Sequence, residues 1–177
     1  FRHGHVTSRG LDIQPQLIQQ AITTLLEGVG EDTKREGLQE TPDRVARMYE
    51  WLLSGTGLDP ASAIDAVFEA DNQDPVVLSN VTFYSLCEHH LLPFYGTAQV
   101  AYIPNGKISG ISKLARALEV ASRRLQVQER LTGQVADAIV SALNPHGVAV
   151  ELQAEHMCMS MRGIQKPGSR VVTTAVR

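Results

Sequence analysis

The sequence predicts an α+β protein: an antiparallel four-stranded sheet with two helices between its strand pairs, preceded by an N-terminal helical segment. Three observations carry this. Apolar residues recur at helical spacing in the first part of the chain, β-branched runs take over from Pro75, and two further helical stripes separate an early pair of such runs from a late pair.

The chain begins at Phe1 without a methionine, and residues 1–10 are expected to be a disordered or trimmed tail. Residues 11–74 make up the helical segment. Leu17, Ile18, Ala21, Ile22, Leu25 and Leu26 repeat on one helical face, which Gly28 and Gly30 end. Thr41, as N-cap, followed by Pro42 and Asp43 starts a second helix with the stripe Val45, Met48, Tyr49 and Leu52, ending near Gly55. Asp59 and Pro60 cap a third, shorter helix expected to run through Val67, and the polar run Ala70 to Asp74 follows. Residues 75–177 form the sheet-bearing part. Strands are expected over Val76 to Phe83 and Gly96 to Ile103, with the turn Pro104-Asn105-Gly106 and a short return through Ile108. Ser112 is expected to cap a helix carrying Leu114, Ala117, Leu118, Ala121 and Leu125, and the next helix shows Leu131, Val135, Ala138, Ile139 and Ala142. After Asn144-Pro145 and Gly147, alternation puts Val148, Val150, Leu152 and Ala154 on one side of a strand, and a continuing strand would carry His156 and Cys158 on that same side. A last strand spans Arg170 to Val176.

A chain of 177 residues that is 43% hydrophobic can bury one core. No run approaches the roughly eighteen apolar residues of a spanning helix, and no signal peptide is evident, so the chain reads as cytoplasmic with no membrane partner. A formal charge of −3 argues against a general nucleic-acid binder. Two cysteines are too few for a disulfide scaffold, and in a reducing compartment they point to metal binding or catalysis.

Both cysteines sit beside histidines, in Cys87-Glu88-His89-His90 and His156-Met157-Cys158. Thiolate and imidazole side chains together grip divalent metals, zinc above all. Cys87, His90, Cys158 and His156 would close a tetrahedral structural site, whereas three of them would leave a position open for water and so for catalysis. Spacing leaves both readings open. A buried thiol pair with satisfied core histidines is the plainer alternative, and the clustering weakens it. Ser112 and Lys113 at a helix start suit an anion such as phosphate, although a Ser cap with a solvated Lys explains them too. Arg116, Arg123, Arg124 and Arg162 add positive charge, and Gln128 with Glu129 at the next helix start could read a planar amide edge or simply favour the helix dipole.

Cys87-Glu88-His89-His90, Gly110-Ile111-Ser112-Lys113, Gln126-Val127-Gln128-Glu129-Arg130 and His156-Met157-Cys158, in this order and spacing, closely resemble GTP cyclohydrolase I. The resemblance runs from about Glu31 to Arg177 and includes Arg35-Glu36-Gly37-Leu38, Thr41-Pro42-Asp43-Arg44-Val45 and Arg162-Gly163. Ile111 stands where Leu is commoner, and family members usually continue past the final strand with another helical segment. The resemblance implies a tunnelling fold assembled as a homodecamer with active sites at subunit interfaces. It also implies conversion of GTP and water to 7,8-dihydroneopterin triphosphate and formate, the entry step of pterin and folate synthesis.

Carried over residue by residue, the resemblance makes Cys87, His90 and Cys158 the ligands of one zinc per chain. It makes His89 and His156 acid–base groups and adds Ser112 to the catalytic set at the ribose end. Glu129, with Gln128 beside it, is matched to guanine N1 and N2, and Lys113, Arg116 and Arg162, with Ser112, to the triphosphate and ribose. Two rivals remain at this point: a non-catalytic pterin- or purine-binding module of the same fold, and a zinc-stabilised interaction protein.

Overall fold

The computed structural model describes residues 13–71 and 73–177. The expected tail at 1–10, together with the first two residues of the helical segment, lies outside the described residues.

Two helices open the fold. Helix α1 (Pro15–Gly28) starts with Pro in its first turn, and α2 (Thr41–Leu52) begins one residue earlier relative to its cap than expected, with Glu40 in the N-cap position and Thr41 already helical. They pack on each other and are tied by Gln19 Nε2 donating to Asp43 Oδ1 at 3.1 Å. Leu17, Leu25, Val29, Met48 and Trp51 stay exposed around this pair. Its junction with the rest is tight. A Cβ on Gly55 would lie 2.1 Å from the Val120 carbonyl oxygen, so only glycine lets the backbones approach, and the Gly55 N–H donates to Arg123 O at 2.8 Å.

The third helix expected through Val67 is instead one 3₁₀ turn, Pro60–Ala63, capped by the Asp59 carboxylate accepting from Ala61 N. Strand β1 (Val67–Glu69) follows and pairs antiparallel with β4 (Lys107–Ser109). The β-branched and aromatic residues near Val67 favour extension, and β4 supplies the hydrogen bonds that a lone helical turn would lack.

Among the described residues, the main sheet has five strands, not four, in the order β5-β2-β3-β6-β7. Strand β2 spans Val76–Cys87, β3 Pro93–Ile103, β6 Gly147–His156 and β7 Val171–Val176, and these four run antiparallel to one another in turn. The fifth, β5 (Leu125–Gln126), pairs parallel with the end of β2, Leu86↔Leu125 and Cys87↔Gln126. Leu125 therefore leaves the helix in which its spacing placed it. Asn80, at φ 59°, makes a bulge between Leu78 and Val81, the left-handed conformation that Asn tolerates. On β3, a Cβ at Gly96 would lie 1.8 Å from Gln153 O, so this glycine permits the β3–β6 approach.

Helices α3 (Ile111–Ser122) and α4 (Gln128–Leu143) cover one face of the sheet. Gly110, not Ser112, is the N-cap of α3, and Ser112 sits exposed within the first turn. Leu114, Leu118, Leu131, Val135 and Ile139 meet Phe94, Val100, Tyr102, Val150 and Leu152, and Ile64, just after the 3₁₀ turn, joins the same core. Ile139 has no solvent exposure. Ile139→Ala is expected to lower stability by about 2–5 kcal/mol, read from the midpoint of a urea transition at unchanged slope. A loss under ~1 kcal/mol would mean the α4–sheet layer repacks freely.

Candidate metal centre and active site

Strand β2 ends at Cys87, and the chain turns back to β3 through residues 88–92. Leu91 N–H donates to Cys87 O at 2.8 Å and Cys87 N–H to Leu92 O at 2.9 Å, with Leu91 at φ 55°. This single turn puts residues three apart on one side. Cys87 Sγ lies 3.7 Å from His90 Nδ1. The third partner arrives from the far end of β6. His156 ends that strand on its core-facing side, as alternation requires, but Cys158 does not continue the strand. It lies in a helical turn, α5 (Met157–Ser160), which swings its thiol toward Cys87.

The sulfurs of Cys87 and Cys158 and a ring nitrogen of His90 all lie within 4.8 Å of one another, the one such group of three metal-ligating side chains among the described residues. The donor set fits zinc. Bonds of about 2.3 Å to sulfur and 2.0 Å to nitrogen at tetrahedral angles would hold S and N about 3.5 Å apart. Burial pushes the Cys158 thiol up, and the Cys87 sulfur beside it adds to the push, while Arg162 pulls the other way. A bound dication would reverse that penalty and hold both as thiolates. His156 is not in this group.

His156 instead turns back into the fold. Its Nε2 is 2.8 Å from Gln128 Oε1, and its ring lies parallel to Phe94, with centroids 4.6 Å apart. Burial lowers its pKa, and the charge of Glu129 opposes that. His89 is exposed, with its ring edge-on to His90 and its Nδ1 3.9 Å from Cys87 Sγ. Glu88 pairs with Arg130, whose Nε also donates to Gln126 Oε1 at 2.9 Å, and Glu88 N–H donates to Gln126 O. The turn that carries Cys87 and His90 is thus pinned to the start of α4.

Glu129 is exposed in the first turn of α4. Gln128 is not beside it in solvent: its side chain is 1% exposed and bonded within the protein. Arg162 acts electrostatically on Cys158 and so belongs to the metal side. Ser112, Lys113 and Arg116 do not. Helix α3 runs from them to Ser122, whose carbonyl accepts from Ser85 Oγ at 2.7 Å near the end of β2, so Ser112 stands about 15 Å, Lys113 about 14 Å and Arg116 about 9 Å up the helix from that end. Lys113 pairs with Asp65 at 2.5 Å, and Arg116 borders a cavity of ≈ 310 Å³ with Thr82, Tyr84, Glu119 and Arg123. Arg123 lies over the Trp51 ring and Arg124 donates to Leu58 O, so both brace the fold. Sequence reasoning missed Phe94, Thr132 and Thr173 around His156 and Gln128. No local signal marks Phe94, because only the β3–β6 register, Phe94↔His156, brings the rings together.

A family model described as GTP cyclohydrolase I matches residues 18–177. A protein of Streptococcus pyogenes serotype M18 called GTP cyclohydrolase 1 is 54% identical over 96% of this chain and 88% of its own length. One of Bacillus pumilus with the same name is 52% identical over 94% of this chain and 88% of its own. Among solved structures, the apo form of the archaeosine synthase QueF-Like covers 58% of this chain and 91% of its own at 20% identity and a TM-score of 0.49, a likeness too distant to carry a conclusion.

Proposed function

This chain belongs to the GTP cyclohydrolase I family, and from that premise we propose that it opens the guanine ring of GTP at C8 with one zinc ion, held by Cys87, His90 and Cys158. It is an enzyme acting on GTP, so the two non-catalytic readings fall. The products are formate and 7,8-dihydroneopterin triphosphate, and the step feeds pterin and folate synthesis. The observation that carries the zinc reading is the Cys-His-Cys group within 4.8 Å. Its thiolates need reduced cysteines, as a reducing compartment such as the cytoplasm keeps them.

Zinc, when bound there, supplies Lewis acidity that makes water a nucleophile near neutral pH. The side chains do the rest. His156 and His89 move protons to and from the purine and the ribose as C8 is attacked, the ring opens and formate leaves. Glu129 accepts from guanine N1–H and the exocyclic amine, a pair of donors that adenine lacks in that arrangement. Arg162, on the metal side, and Lys113, Arg116 and Ser112 hold the triphosphate and ribose.

The distance of Ser112 and Lys113 from the metal end of β2 supports a site completed by a neighbouring copy. A homodecamer of tunnelling-fold subunits supplies one. Among the described residues, strand β7 and most of β2 have no strand partner on one side and so suit pairing between copies, and the exposed apolar residues of α1 and α2 suit further contact. Light scattering of active enzyme is expected to give a large closed ring; a monomer that remains fully active would refute the shared site.

Incubation with GTP should release one formate per pterin formed, with loss of turnover on chelation and recovery on adding zinc. Formate without zinc dependence would overturn the metal reading. Glu129→Gln replaces one acceptor oxygen with a donor amide facing a donor, and is expected to lower kcat/KM for GTP by roughly 10²–10³. Unchanged GTP kinetics would return Glu129 to a helix N-terminal charge.

A further inference from the structure

The buried amide of Gln128 has one permitted orientation. Its Nε2 lies 3.0 Å from Leu152 O, 3.0 Å from Val171 O and 3.1 Å from Thr173 Oγ1. Two of these are backbone carbonyls, which only accept, so a flipped amide would set oxygen against oxygen twice. The third agrees. Thr132 Oγ1 donates its single proton to Gln128 O at 2.7 Å and lies 2.6 Å from Thr173 Oγ1, so Thr173 must donate to Thr132 and keep a lone pair for the Gln128 amide.

With the NH₂ end fixed, Oε1 is fixed as well, 2.8 Å from His156 Nε2. An amide oxygen only accepts, so Nε2 must carry a hydrogen. The ring cannot readily swing away, because Phe94 lies flat against it with an interplanar angle of 2°. The neutral ring then has its lone pair on Nδ1. We propose that Gln128 is a positioning residue that fixes the Nε2–H tautomer of His156, leaving Nδ1 as the nitrogen that exchanges protons with substrate. This rests on the reading of His156 as an acid–base group. It removes Gln128 from the guanine contact that the motif suggested. What is fixed is the place of the hydrogen on the neutral ring, independent of the pH at which the ring gains a second one.

Solid-state ¹⁵N NMR of the zinc-loaded enzyme labelled in histidine, with the His156 signals identified by their absence in His156→Ala, reads the tautomer directly. Expected is a bare-nitrogen shift for Nδ1 and an N–H shift for Nε2; the reverse assignment overturns the proposal. Gln128→Met, close in shape and without a strong acceptor, is expected to mix the two tautomers and lower kcat about 10–100-fold at unchanged zinc content and a KM for GTP within about twofold. A raised KM with unchanged kcat would instead put Gln128 on the substrate. Should Gln128→Met not fold, the wild-type shifts decide alone, because they are read on the unaltered protein. The wild-type tautomer is read without turnover, so its failure and the failure of the GTP reaction are separate results.

Discussion

Cys158→Ser is expected to empty the metal site and abolish turnover, by at least about 10³-fold, in a protein that remains folded. Three protein ligands are the minimum that holds a catalytic zinc, and a serine hydroxyl is a far poorer anionic ligand than a thiolate. Cys158 sits in the short α5 turn at the edge of the core, partly exposed, so its replacement leaves no large cavity. His90→Ala should do the same from the opposite side of the site. Metal analysis of freshly purified protein, paired with formate release, checks both. Full activity in Cys158→Ser would refute a ligand role. Chelation of the wild-type protein adds a second readout. The two sulfurs lie within 4.8 Å of each other, and thiol titration after air oxidation should show Cys87 and Cys158 lost together as a disulfide. Two free thiols that persist would place the cysteines further apart in solution.

His156→Ala and His89→Ala should separate from the ligand variants by keeping zinc while kcat falls about 10²–10⁴-fold, the range for removal of a general acid or base. A proton transfer made in the transition state costs kcat more than GTP binding, so KM should change little. His156 is the sharper case. Its ring is held between Gln128 and Phe94 and lies outside the Cys87, His90 and Cys158 group, so its loss leaves the donor atoms untouched. If His156→Ala loses zinc, the closed four-ligand site is the better description. If it keeps zinc and forms product at the wild-type rate, His156 is a packing residue.

Local chemistry was legible to the extent that it was local. The stripes of α1 to α4, the alternation Val148 to Ala154 and the last strand all emerged at close to their predicted bounds, because periods of 3.6 and 2 are set by local geometry; those of α3, α4 and β6 mark a buried face, whereas α1 buries no residue and α2 only Ala46. The failures lie where a short segment had two local options. Residues through Val67 could turn or extend, and β4 decided for a strand. Leu125 fitted the stripe of α3, but pairing with Leu86 drew it into β5. Cys158 fitted the face of β6, but the chain coils at Met157 instead.

The sequence by itself determined the layered α+β class and the two sulfur–imidazole pairs, since Cys87 and His90 need only one turn to share a side and His156 and Cys158 are two residues apart. Through its motifs it also pointed to the family. Only the tertiary structure decided what each member of those pairs faces. The β3–β6 register lays Phe94 on His156, the docking of α4 drives Gln128 inward to hold the same ring, and α5 turns Cys158 toward Cys87. It also put Ser112 and Lys113 most of a helix length, and Arg116 about half of one, from the end of α3 that meets β2. Spacing along a chain fixes direction only within an element; contacts between elements depend on packing and register, which are set by the whole core at once.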